Sequence, residues 1–200
     1  MKDRKWLQGI LKASKGQRLV VGIDGLSRSG KTSFVGQLMK DFHLDSIVVF
    51  HMDDLIVERS KRYGTGHAEW YEYYSLQWDV QWVRDEFLHS LKRDPKITVP
   101  VYKHELDIHK RKTYQLPDNG LIIVEGVFLQ RKEWRDLFDF IVFLDCPRQT
   151  RFSREKESVQ KMHQKFEQRY WKAEEHYLQV ERPRRHADVV IDNGEAKRHS

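Results

Sequence analysis

Cysteine is almost absent from this chain: Cys146 stands alone among 200 residues. No intrachain disulfide can form, and a reducing cytoplasm is the expected setting. Asparagine is nearly as scarce, at Asn119 and Asn193 only, and neither precedes a lysine. That removes the Asn-Lys-x-Asp signature with which a regulatory GTPase reads guanine. There is no apolar run long enough to cross a bilayer, and the opening Met1-Lys2-Asp3-Arg4-Lys5-Trp6 lacks a signal-peptide core. None of the ten histidines falls in a Cys/His or His-Glu-x-x-His zinc spacing. Repeats, low-complexity stretches and linkers are also missing. What remains is a polar composition, 39% hydrophobic and 33% charged, sufficient for one domain, 1–200, with a three-layer core.

The net charge of +6 is concentrated in one place. Between Arg148 and Arg185 there are eleven Lys/Arg against six Glu. Such a segment suits either a nucleic-acid surface or a flap that closes over nucleotide phosphates.

The motif Gly25-Leu26-Ser27-Arg28-Ser29-Gly30-Lys31-Thr32 favours the flap, because it fits the phosphate-loop pattern G-x-x-x-x-G-K-[ST] in full. It follows the apolar run Arg18–Ile23, which reads as a buried strand, and precedes Ser33–Lys40, whose apolar residues have helical spacing. Glycines at both ends let backbone N–H groups approach an anion, and the next helix aims its positive end at the same point. Gly25, Ser27, Arg28, Ser29, Gly30, Lys31, Thr32 and Ser33 are the expected nucleotide contacts. Lys31 would reach the terminal phosphates and the Thr32 hydroxyl would ligate Mg²⁺.

Four more continuous apolar runs read as strands: Ser46–Phe50, Leu121–Val124, Phe140–Leu144 and Asp188–Ile191. Continuous runs are expected where helices cover both faces of a parallel sheet. Helical segments are expected at 1–15, at Ser75–Leu91 and from Arg148 to about Val180. The fold class is therefore α/β: a three-layer doubly wound sheet of five mostly parallel strands. Ile97-Thr98-Val99-Pro100-Val101-Tyr102, with its internal proline, reads as an edge strand or hairpin outside that sheet.

Ligands of such sheets gather at the carboxyl ends of the strands. There the sequence places Asp53, the candidate general base for an acceptor hydroxyl, and Glu125, a candidate Mg²⁺ ligand. Arg148, Arg151 and Arg154 fall three apart on one side of a helix. Arg151 and Arg154 are the candidates to clamp a transferring phosphoryl group, within a helical lid over 151–172. Trp70–Asp79 is dense in aromatics, for stacking on a base or for packing.

With these residues in place, the chain resembles the uridine kinase branch of the P-loop kinases, which includes phosphoribulokinase and pantothenate kinase. The resemblance runs from Leu19 to Asn193 and implies a P-loop NTPase fold. It rests on Val21–Thr32, on Asp53, on Glu125-Gly126, on Arg151-Phe152-Ser153-Arg154 and on Ala187–Ile191. It implies Asp53 as base toward a nucleoside 5′-hydroxyl and Tyr102 as a substrate contact. The family's following histidine corresponds to His109 or to His104. The nucleoside-side Asn-Phe-Asp-His-Pro segment is replaced here by Tyr73-Tyr74-Ser75-Leu76-Gln77-Trp78-Asp79, which makes Trp78 a substrate candidate. The lid lacks the family's Arg-Gly-Arg-Asp stretch. The implied activity is transfer of a phosphoryl group from ATP, with Mg²⁺, to a hydroxyl of a small molecule, a nucleoside first. A polynucleotide-directed kinase and a nucleotide-binding regulator without transfer activity stay open. The expected partner is a small molecule rather than membrane or nucleic acid, and the reading allows a homo-oligomer.

Overall fold

Successive residues of a strand face opposite sides of its sheet, so a continuous apolar run serves two cores at once. In a computed structural model of the chain, which describes residues 5–13, 16–41 and 47–194, that is what these runs do. The strands are β1 (Arg18–Asp24), β2 (Ile47–His51), β3 (Lys96–Lys103), β4 (Ile108–Gln115), β5 (Gly120–Gly126), β6 (Phe140–Asp145) and β7 (Val189–Asp192). Val20, Ile122, Val124, Ile141 and Phe143 enter one core. Val21, Ile23, Leu121, Ile123, Val142 and Leu144 enter the other.

Five strands form the main sheet in the order β2-β5-β1-β6-β7, and every pairing is parallel. The expected three-layer α/β fold is thus observed. β3 and β4 make a separate antiparallel hairpin. A two-stranded sheet has only edges, the setting in which a strand tolerates Pro100. The hairpin packs against the short 3₁₀ turn Met52–Leu55 that follows β2.

The first helix, Lys5–Ala13, buries Leu7 and stacks Trp6 on Phe140 at 5.4 Å; the rest of the expected 1–15 helix, like Ser46 of the second run, lies outside the described residues. The expected helix over Ser75–Leu91 is differently bounded. Glu69–Ser75 is one helix, and a second runs over 80–93. Asp79 starts the second by accepting the Trp82 N–H at 3.0 Å. The expected long helix after Arg148 is also broken, into Arg148–Ser153, Glu157–Gln160 and a helix over 163–180. Phe152 lies 5.0 Å from Phe166 and 5.5 Å from Trp171, which folds the segment back on itself. Its aromatic packing outweighs its helical propensity.

Candidate active site

The phosphate loop connects β1 to the helix Lys31–Asp41, and its shape depends on its two glycines. Gly25 has φ +154°, and a Cβ there would lie 2.6 Å from Ser29 Oγ and 2.8 Å from the Leu144 carbonyl oxygen. Gly30 has φ +95°, and its Cβ would lie 2.5 Å from Asn193 Nδ2. No side chain fits at either place. The loop borders a cavity of about 640 Å³ that Lys31, Thr32, Asp53, Glu125, Arg154 and Tyr170 also line.

Thr32 Oγ1 donates to Glu125 Oε1 at 2.9 Å. His51 Nδ1 is 2.6 Å from the same oxygen, because β2 and β5 pair His51 with Glu125 in register. Burial acts to raise the Glu125 carboxyl, but the His51 hydrogen bond, Lys31 and Thr32 outweigh it and hold it below its ordinary value. The same bond raises the His51 imidazole. A hydroxyl beside an ionised carboxylate is a hard-oxygen pair, which suits Mg²⁺, an ion that takes few protein ligands alongside phosphates and water.

Lys31 Nζ donates to the carbonyl oxygens of Gly25 at 2.9 Å and Leu26 at 3.1 Å. Burial lowers its pKa, against the pull of Glu125 and Asp53. Asp53 lies open to solvent in the cavity. The surrounding protein raises its carboxyl, Lys31 opposes this, and Glu125 adds to it.

Of the two lid arginines, Arg154 lines the cavity. Its Nη1 donates to the Arg28 carbonyl at 3.0 Å and its Nη2 to the Asn193 carbonyl at 2.9 Å. Arg28 in turn pairs with Glu155 at 2.8 Å. Arg151 is placed otherwise. It is 5% exposed, and its guanidinium donates to Cys146 O, to Ser27 O and to both oxygens of Glu174. A side chain so engaged supports the loop rather than reaching across the cavity.

The acceptor-side candidates lie together but play supporting parts. Trp78 is buried and donates its indole N–H to the Met52 carbonyl at 2.8 Å, directly before Asp53. Tyr102 is buried, donates to Asp107 at 2.7 Å and accepts from Arg62 at 3.2 Å. His109 has both ring nitrogens engaged, with Glu58 at 3.1 Å and the Ile56 carbonyl at 2.9 Å. His104 is exposed, and its influence on the Asp53 carboxyl is a lowering one. Among these, only Asp53 borders the cavity.

Several residues at the site carried no signal by spacing. Asn193 donates to the Ser29 carbonyl at 2.6 Å, and its rarity was the only mark on it. Tyr73 lines the cavity, with its hydroxyl 3.1 Å from Ser27 Oγ. Asp24, fully buried, accepts from Tyr177 at 2.5 Å, Gln130 at 2.8 Å and the Gly25 N–H at 2.8 Å. These contacts span up to 164 positions of sequence, a separation at which no local pattern is visible.

Comparison with known proteins shows the family to which the chain belongs. A solved structure described as a possible uridine kinase from Bacillus stearothermophilus is 48% identical, with a TM-score of 0.81 over 96% of this chain and 100% of that one. A uridine kinase of Staphylococcus epidermidis is 27% identical over 198 residues, covering 89% of each chain. A uridine kinase of Schizosaccharomyces pombe is 32% identical over 130 residues, which are 62% of this chain and 28% of that longer protein. The model of the phosphoribulokinase/uridine kinase family matches residues 20–196. With that match across most of its length, the chain belongs to the phosphoribulokinase/uridine kinase family, and it is a small-molecule kinase.

Proposed function

We propose that the protein transfers the γ-phosphoryl group of ATP to a hydroxyl of a nucleoside. The observation that carries this reading is the gathering of Lys31, the Thr32–Glu125 pair and Asp53 around one cavity at the carboxyl ends of β1, β2 and β5. Uridine kinases among the relatives supply the acceptor class.

In this reading the loop amides and Lys31 bind the triphosphate, Lys31 exchanging two neutral carbonyls for charged oxygens. Thr32 and Glu125 would hold Mg²⁺, which when bound neutralises phosphate charge and orients the phosphates. Asp53 accepts the proton of the acceptor hydroxyl and aims its oxygen at the phosphorus. Arg154 supplies positive charge as negative charge spreads over the transferring group. The segment 151–172 closes the cavity and keeps out water, which would otherwise take the phosphoryl group.

The test is ATP consumption with Mg²⁺ against a panel of nucleosides, pantothenate, nicotinamide riboside and sugar phosphates. Turnover with a nucleoside, and its 5′-monophosphate as product, is the expected result. Turnover confined to another class would replace the acceptor, and ATP consumption with none of them would return the protein to the regulator reading.

A further inference from the structure

Two charges buried behind the phosphate loop, those of Glu174 and Arg151, are not needed to fill space, yet both sit on a single residue of it. Glu174, 1% exposed, accepts the Ser27 N–H on Oε1 at 3.1 Å. Arg151 donates to both oxygens of Glu174, at 2.8 and 2.9 Å, and to the Ser27 carbonyl at 3.0 Å. Ser27 Oγ lies 3.1 Å from the Tyr73 hydroxyl. All three polar groups of one loop residue are therefore gripped, by the helices 163–180, Arg148–Ser153 and Glu69–Ser75. One helical turn after Glu174, Tyr177 donates to Asp24 Oδ2 at 2.5 Å, and Asp24 Oδ1 accepts the Gly25 N–H at 2.8 Å. Residues three apart share a helix face. A single face of the helix that continues from the lid thus holds the loop at its entrance and at its third position.

We propose that Glu174 is a positioning residue for phosphoryl transfer, setting the aim of the loop's backbone amides through the Ser27 peptide and with Arg151 as its partner. Apolar side chains of equal volume would pack as well or better than a buried ion pair. They would leave the Ser27 N–H and carbonyl without partners. Donors aimed at developing charge accelerate a reaction only if they are already in place, and a displacement of about 1 Å can cost on the order of 10²-fold. The proposal rests on the kinase reading above and names a residue whose sequence position, far from the loop, gives no hint of it.

Glu174→Met and Glu174→Gln test it together. Both fill similar space and both leave Arg151 without its carboxylate, so both lower Tm. Only Gln can still accept the Ser27 N–H. Assayed below both Tm values, Glu174→Met is expected to show a kcat at least about ten-fold below that of Glu174→Gln, with ATP KM values within about three-fold. Equal kcat values, or kcat losses that follow Tm, would overturn the proposal and leave the pair a stabilising one. Amide exchange of the wild-type protein supplies a second arm that needs no acceptor. The Ser27 N–H is expected to exchange slowly before ATP is added and no slower after, while the Gly30 and Lys31 amides slow only with ATP. Fast Ser27 exchange without ATP rules the grip out, even if neither variant folds. If wild-type protein phosphorylates nothing, the preceding proposal fails, and the exchange arm still decides this one.

Discussion

Lys31 Nζ donates to the Gly25 carbonyl oxygen at 2.9 Å, so the cation of the phosphate loop is held by the loop's own backbone. A triphosphate offers it charged acceptors instead, and hydrogen bonds to charged groups contribute roughly 1.5–3 kcal/mol each. Lys31→Ala should therefore weaken ATP binding and abolish most turnover while the circular dichroism spectrum stays that of the parent. Wild-type turnover in this variant would remove the loop from the mechanism.

Asp53→Asn should lower kcat roughly 10²–10⁴-fold, the usual contribution of a general base, with ATP Kd little changed. The pH dependence separates this from a structural effect. The base must be ionised, and its carboxyl is raised above the ordinary value of 3.8, so kcat/KM should fall as pH drops through that raised value. The variant has no carboxyl to protonate and should lose that limb. If it instead loses ATP affinity at unchanged kcat, Asp53 serves the metal.

Arg154→Ala should reduce kcat more than ATP affinity, because charge on the transferring group is greatest in the transition state. It also releases the lid from the Arg28 and Asn193 carbonyls. In the parent protein, amide exchange over 151–172 should slow when ATP and acceptor are both bound. Unchanged exchange, together with an active variant, would make the basic stretch a solvated face.

Trp78→Phe should move the Asp53 carboxylate without touching it. The change leaves the Met52 carbonyl without its 2.8 Å donor, at a cost of about 1–3 kcal/mol, or roughly 2–4 °C in Tm per kcal/mol for a chain of this size. Turnover should fall several-fold at temperatures where the variant is fully folded. Parent-like kcat with a lowered Tm would make Trp78 a packing residue only.

The strands and the phosphate side were legible because their signals are local. A continuous run such as Leu121–Val124 declares a strand covered on both faces, and the loop motif lies within eight consecutive residues. The helices were less legible. Nothing in Leu76-Gln77-Trp78 announces a break, which arises because Trp78 turns inward to Met52. Arg151 shows the limit most clearly. Its spacing from Arg154 placed both on one helix side, but Glu174 lies 23 residues on and draws only Arg151 into the core. The acceptor side was the least legible, since Tyr102, His109 and Trp78 satisfy their polar atoms on neighbouring chain segments.

By itself the sequence determined the sheet, the glycine-bounded loop after β1, and the acids near the carboxyl ends of β2 and β5, because apolar periodicity and glycine placement act over a few residues. The tertiary structure alone decided which charges face the cavity and which are spent behind it. That choice depends on burial and on partners far away in the chain, and a charge is drawn inward only where folding brings its counterpart within hydrogen-bonding distance.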